Sequence, residues 1–329
     1  MLVLREDDVR AILTMPDTIS VLEAAFRRQG EDATRNQPRR RVVLPDGRGV
    51  LHTMSAFVPG EPGHPEADGP GLLGLKTYST FKDGVRFAVL LFSAADGAAL
   101  ALIEADWLGQ MRTGAASGLA SKYLAREDVK TLGVIGTGLQ ARTQVVAVTA
   151  VRAFDRILVY GRDEARRNAF AEEMTRETGV DASPVTEAEA AVSEADVVIT
   201  MTTARDPVLQ GAWLKPGAHV NAAGVNWASR REVDDETVER SAVVAVDDLD
   251  QARIEAGDLI LPAAVGRFDW ERAVELGAII TDDAPGRQST EAITLFKSVG
   301  VALEDVAVAG LIYAQARERG LGSELTFLS

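Results

Sequence analysis

A chain of 329 residues is long for one hydrophobic core, so two domains are expected. With 46 % apolar residues, no cysteine and a formal net charge of −14, the composition is globular. It excludes disulfides and thiolate chemistry and speaks against nonspecific nucleic-acid binding. No apolar run approaches the roughly 18 residues of a membrane span, and residues 1–10 are charged rather than signal-like, so a cytoplasmic protein with no membrane partner is expected.

The first 20 residues read as a short strand and the start of a helix. Ile19, Leu22, Ala25 and Phe26 give residues 17–28 a helical period. Residues 40–58 and 72–104 read as strands of an antiparallel sheet, with turns at Lys82-Asp83-Gly84 and Asp96-Gly97. The Pro/Gly-rich stretch 59–70 between them reads as a loop. Ala, Gly and Ser then dominate residues 111–124, which suits a closely packed helix.

After Asp128 the pattern changes. Apolar strands at 131–135, 157–160, 196–201, 219–223 and 243–246 alternate with helical stretches, notably 139–151 and 164–178. Such alternation predicts right-handed βαβ units and a parallel sheet. Asp234 and Asp235 are placed to begin a short helix over 236–240, and a last helix over about 304–318 is expected to return to the first domain. The fold class is therefore α/β, a Rossmann-type doubly wound domain at 125–302 joined to an α+β domain made of 1–124 and 303–329.

The strongest chemical signal is Gly136-Thr137-Gly138-Leu139-Gln140-Ala141, directly after a strand and opening a helix. One glycine permits the tight turn, the next lets backbone approach a pyrophosphate, and the small Ala141 lets helix and strand pack closely. The helix N-terminus offers N–H groups to the phosphate, so a nicotinamide dinucleotide is the expected cofactor. The second strand ends Tyr160-Gly161-Arg162-Asp163, with glycine where an NAD-selective acid would stand. Arg162 suits a 2′-phosphate, which favours NADP(H) and leaves NAD(H) open; Asp163 either caps the next helix or reaches the ribose.

Cations form a second signal. Lys76 interrupts an apolar run and is expensive to bury without a partner. Arg39, Arg40 and Arg41 follow Pro38, and Arg112 heads the small-residue helix. If they converge, guanidinium forks and an ammonium suit a carboxylate. The three histidines, His52, His64 and His219, have no metal-ligand spacing, and no metal is expected.

These segments, with Leu75-Lys76-Thr77, Arg112-Thr113-Gly114-Ala115-Ala116-Ser117, Trp213-Leu214-Lys215-Pro216-Gly217, Arg231-Glu232-Val233-Asp234 and Phe296-Lys297-Ser298-Val299-Gly300, resemble the ornithine cyclodeaminase/mu-crystallin family over nearly the whole chain. The resemblance implies a homodimer whose first domain builds the dimer and much of the substrate site. It implies Arg40 and Arg112 as carboxylate ligands, Arg40 being the second residue after Pro38, with Arg39 and Arg41 left open. Lys76 is implied as donor or acid at the reacting centre. Arg112, Thr113, Gly136, Thr137, Gly138, Leu139, Gln140, Thr202, Gly224 and Ser298 are implied at the cofactor, joined by Arg162 from its strand position.

One departure bears on the reaction. Cyclodeaminases carry an aspartate two residues after the glycine matched by Gly224, and this chain has Asn226 there. A neutral amide cannot take a proton as a carboxylate does. The expectation is therefore an NAD(P)H-dependent reductase of cyclic imino acids such as Δ1-pyrroline-2-carboxylate or Δ1-piperideine-2-carboxylate, with Lys76 and Asn226 as the catalytic pair. Ornithine cyclodeamination, alanine or amino-acid dehydrogenation, and noncatalytic NADPH binding are the alternatives.

Overall fold

The computed structural model describes residues 1–60 and 71–326. Most of the 59–70 loop, His64 included, lies outside the described residues. The chain divides into two compact units, Met1–Arg112 with Val301–Ser329, and Thr113–Gly300.

The first unit opens with β1 (Leu2–Leu4), α1 (Glu6–Ile12) and α2 (Met15–Gly30). The meander β2 (Arg35–Val43), β3 (Gly49–Val58), β4 (Leu72–Phe81), β5 (Gly84–Ser93) and β6 (Ala99–Glu104) follows, and then α3 (Asp106–Leu124). The second unit continues with β7 (Thr131–Ile135), α4 (Leu139–Val151), β8 (Arg156–Tyr160), α5 (Glu164–Thr178) and β9 (Asp181–Pro184). Next come α6 (Ala188–Val192), β10 (Val197–Thr200), β11 (His219–Ala222), α7 (Asp235–Arg240) and β12 (Ser241–Val246). It closes with α8 (Leu249–Glu255), α9 (Gly257–Ala264), β13 (Ala273–Glu275), α10 (Leu276–Ile280) and β14 (Ile293–Lys297). Finally α11 (Ala302–Arg319) and β15 (Ser323–Glu324) return to the first unit.

In the first unit seven strands lie in the order β15-β1-β6-β5-β4-β3-β2, antiparallel except for the β1–β6 pair. Alternation puts His52, Met54, Ala56, Gly74, Lys76, Val89 and Leu91 on one face, where α11 packs. Gly74 is needed there, because a Cβ would stand 2.4 Å from Val306 of α11. The other face carries exposed Leu51, Leu73 and Leu102.

The second unit holds an eight-stranded, wholly parallel sheet in the order β13-β12-β14-β11-β10-β7-β8-β9. Five of these strands are the predicted ones. The other three escape pattern reading for separate reasons: β9 is a polar edge strand ending in Pro184, β13 has three residues, and β14 is a short apolar run with no helix directly before it. Every residue of β7 is buried, as suits a central parallel strand.

The domain boundary expected at the end of α3 does not coincide with the division, which falls inside that helix between Arg112 and Thr113. The packing of its second half explains this. A Cβ on Gly114 would stand 2.4 Å from the Thr143 carbonyl oxygen of α4, and one on Gly118 would stand 2.9 Å from that of Ala147. The small residues let two helices of the second unit touch backbone to backbone. Among the described residues no helix is long and apolar enough to cross a membrane.

Candidate active site

The glycine turn joins the carboxyl end of β7 to the N-terminus of α4. Gly136 has φ +118°, and a Cβ there would lie 2.3 Å from the Met201 carbonyl oxygen. Backbone conformation and packing both require glycine at that position. Gly138 is different: its φ of −80° suits any residue, and a Cβ would meet nothing within 4 Å. The protein's own packing does not require glycine here, and the open space leaves room for a ligand to approach the backbone. Gly138 is also the N-cap of α4 and makes no side-chain cap, so no capping side chain takes up the N–H groups of the helix's first turn. Leu139 is 67 % exposed and Ala141 fully buried. The turn therefore fits a dinucleotide pyrophosphate, with the backbone of residues 136–140 as its cradle.

At the end of β8, Gly161 sits against the turn, where a Cβ would stand 2.9 Å from the Thr137 side chain. A larger residue would press into the cradle. Arg162 is exposed, while Asp163 caps α5 by accepting a bond from Arg166 N at 2.9 Å. Of the two roles open to Asp163, the cap is the one observed.

The other cofactor candidates of this unit lie at carboxyl ends of neighbouring strands. Thr202, after β10, donates from N and Oγ1 to Glu232 at 2.7 and 2.8 Å. Gly224, after β11, donates from N to the other oxygen of Glu232 at 2.7 Å. Ser298, after β14, donates to Asp247, which also accepts from Val299 N and Gly300 N. Burial raises the Asp247 carboxyl, and these three donors oppose the shift. The Thr113 carbonyl, on α3, accepts from Gln144 at 2.9 Å. Asn226 is half-buried in the loop after β11, and Trp227 beside it is 36 % exposed with Arg230 over its ring.

The first unit gathers its cations. Lys76 of β4, 1 % exposed, donates to Asp305 Oδ1 at 2.6 Å. Arg112 of α3 donates from Nε to the same oxygen at 3.1 Å and from Nη1 to Glu304 Oε2 at 2.6 Å. Glu304 and Asp305 stand in the first turn of α11, where the helix dipole favours acids, and both are fully buried. Burial pushes the Lys76 ammonium from 10.5 down to about 8; Asp305 opposes the shift, while Arg112 and then Arg39 add to it.

Arg40, placed at the substrate by resemblance, is exposed, and Arg39 is the buried one. The cause is a β-bulge. In β2, Gln37 pairs with Ser55 but Arg40 pairs with Thr53, so the register slips by one residue between them. Unbroken alternation from Asn36 would have turned Arg40 towards Lys76. The bulge instead turns Arg39 and Arg41 to the inner face and Arg40 to the outer one. The structure thus brings together Lys76, Arg112 and Arg39, and leaves Arg40 out.

Sequence reasoning missed the buried acids. For Glu304 and Asp305 the signal was available: two adjacent acids opening an apolar helix, and a strand lysine in want of a partner. Glu232 lay inside a motif already noted but carried no assigned role. Two histidines take structural places. His52 stacks on Tyr78 at 4.1 Å and is held down to about 4 by burial, then by Arg41 and Arg39. His219 is buried between Thr294 and Asn221 and held down to about 3, chiefly by burial and then by Arg287.

Known proteins are similar to this chain along its whole length. A Δ1-pyrroline-2-carboxylate reductase of Bacillus cereus is 33 % identical over 335 residues, covering 99 % of this chain and 100 % of its own. The solved Δ1-pyrroline-2-carboxylate reductase of Thermococcus litoralis, in complex with NADH and L-proline, superposes with a TM-score of 0.90 at 36 % identity. It covers 99 % of this chain and 100 % of its own. An archaeal alanine dehydrogenase dimer with bound NAD gives 0.90 at 30 % identity, over 100 % and 99 %. The ornithine cyclodeaminase/mu-crystallin family matches residues 1–320, and with the glycine cradle on the second unit and the buried lysine on the first, the chain belongs to that family.

Proposed function

We propose that the protein reduces the C=N bond of a cyclic imino acid, of the Δ1-pyrroline-2-carboxylate or Δ1-piperideine-2-carboxylate kind, to the corresponding secondary amino acid. The observation that carries this is the buried Lys76 cluster. Three buried cations, Lys76, Arg112 and Arg39, stand with two buried carboxylates, Glu304 and Asp305. Guanidinium forks and an ammonium gathered in one place suit a substrate carboxylate. A lysine brought down to about 8 remains charged at neutral pH yet gives up its proton readily.

A bound nicotinamide dinucleotide supplies the hydride. The backbone of residues 136–140 holds its pyrophosphate. Arg39 and Arg112 bind and orient the substrate carboxylate; Arg39 takes the role first given to Arg40. Lys76 Nζ hydrogen-bonds the imine nitrogen and delivers the proton that completes the amine, while Asp305 holds the ammonium in place. Asn226, neutral, orients by hydrogen bonding and leaves no carboxylate base at that position for cyclodeamination.

Arg162 and the capped Asp163 favour NADP(H) within the dinucleotide class. The protein acts as a homodimer in the cytoplasm, and the exposed Leu51, Leu73 and Leu102 mark the sheet face that a second copy covers. The same face bears a groove of about 380 Å³ lined by Ser55, Phe57, Leu73 and Phe92 among others. The test mixes purified protein, NADPH or NADH, and Δ1-pyrroline-2-carboxylate, and follows loss of nicotinamide absorbance. Oxidation that depends on the imine supports the reading. Ammonia release from ornithine without added cofactor, or no turnover with either dinucleotide from mildly acidic to mildly alkaline pH, overturns it.

A further inference from the structure

The second unit contains a buried charge cluster that the proposed chemistry does not use. Glu232, Asp258 and Lys297 are all fully buried. Lys297 Nζ lies 2.9 Å from Asp258 Oδ2 and donates to the Val225 carbonyl at 2.6 Å. Asp258 Oδ1 accepts from Glu232 N at 2.6 Å and Val233 N at 3.0 Å. The Glu232 carboxylate takes the bonds from Thr202 and Gly224. One network therefore ties together the chain just beyond β10 and β11 and the last residue of β14, at the carboxyl ends where an open parallel sheet binds its ligand. The fit at Gly224 is close: a Cβ there would lie 2.3 Å from Thr202 N and 2.6 Å from Glu232 Oε1.

Two carboxylates and one ammonium leave one negative charge over. Every bond that Glu232 Oε1 and Oε2 are seen to make comes from an N–H or O–H donor, the set that an ionised carboxylate needs. Burial opposes that ionisation, as does neighbouring Asp258, and Lys297 favours it. Such an excess is costly unless something positive offsets it. The strand order says what that is. With the pyrophosphate on the turn after β7, the adenosine ribose goes to the end of β8, where the discriminating acid of this fold stands. The nicotinamide half then belongs on the other side of β7, with β10, β11 and β14. The nicotinamide ring carries a positive charge when oxidised and none when reduced.

We propose that Glu232 is a positioning residue whose charge, shared with Asp258 and Lys297, favours the oxidised over the reduced dinucleotide on this unit and so eases departure of the hydride. The proposal rests on the dinucleotide reading above, but its test needs no imine and no turnover. Dissociation constants for the oxidised and reduced forms are measured on the whole protein by fluorescence and calorimetry. In Glu232→Gln and in Asp258→Asn, the ratio of the oxidised to the reduced constant should rise about threefold or more. In Lys297→Met, which deepens the excess, the ratio should fall. A residue that merely holds the loops would weaken both forms alike. An unchanged ratio in the variants that fold, whatever the absolute affinities, overturns the proposal. If wild type binds neither form, the dinucleotide reading fails with it; if it binds both and the ratio never moves, only the proposal fails.

Discussion

The two units each bury a cluster of charges, and the clusters differ in make-up. In the first, Lys76, Arg112 and Arg39 gather about Glu304 and Asp305; in the second, Glu232 and Asp258 share Lys297. Burying an unbalanced charge in a folded protein is unfavourable by several kcal/mol, so stability does not explain the negative excess of the second. On the functions proposed above, the first receives a carboxylate and the second favours an oxidised nicotinamide. The difference teaches that the groups a buried cluster offers, more than burial alone, point to the ligand it suits.

The largest expected effects come from breaking the first cluster. Lys76→Met should lower kcat for imine reduction by about a hundredfold or more, the usual scale for a lost general acid. Because the substitution is nearly isosteric and removes a buried charge, thermal unfolding should show a folded protein; kcat close to that of wild type would exclude Lys76 as proton donor. Arg39→Ala should raise KM for the imine by about ten- to a hundredfold, the worth of a charge-assisted bond, while Arg40→Ala should change it less than about twofold. Equal effects at the two positions would contradict the bulge as the reason that one faces in and the other out.

That bulge marks where sequence reading stopped. The parallel sheet, the glycine cradle and the ends of α4 and α5 were legible because each is a local pattern of period, cap or turn. Lys76 was legible as an anomaly, a charge inside an apolar strand. Which of three consecutive arginines joins it was not, since one extra residue opposite Met54 reverses the faces of the rest of β2, and no composition signal announces it. The partners of Lys76 were hidden for a different reason. Asp305 is 229 residues away in sequence, on a helix that returns after the whole second unit, and such pairings are set by topology rather than by pattern.

The pH dependence sharpens the role of that distant acid. Lys76 acts protonated, so activity should fall as pH rises through about 8. Asp305 is the strongest influence holding this pKa up, and Asp305→Asn should therefore move the basic limb to lower pH, while Glu304→Gln should move it less. A rate profile that keeps its limb in Asp305→Asn would mean that another group titrates there. Stability follows the opposite course. Between about 8 and 10.5 the unfolded chain holds a proton that the folded one has lost, so the Lys76 contribution makes the fold more stable as pH rises across that window. Activity and this part of stability should thus diverge with pH, which denaturant titration on either side of the lower bound of that window would show.

The smallest expected effect lies at the end of β8. Arg162 is exposed, so a bond from it to a 2′-phosphate competes with water and is worth less than a buried one. Arg162→Ala should lower the ratio of kcat/KM for NADPH over NADH by about three- to tenfold, chiefly through KM for NADPH, and leave NADH nearly unchanged. Gly161 offers a control of a different kind. Gly161→Asp places an acid where an NAD-selective enzyme carries one, but its Cβ would press on Thr137 in the cradle, so affinity for both dinucleotides should fall. If Gly161→Asp instead binds NADH better than wild type does, the turn has room to give. Selection against an acid at this position would then be electrostatic and not steric, which would strengthen the assignment of Arg162 to a phosphate.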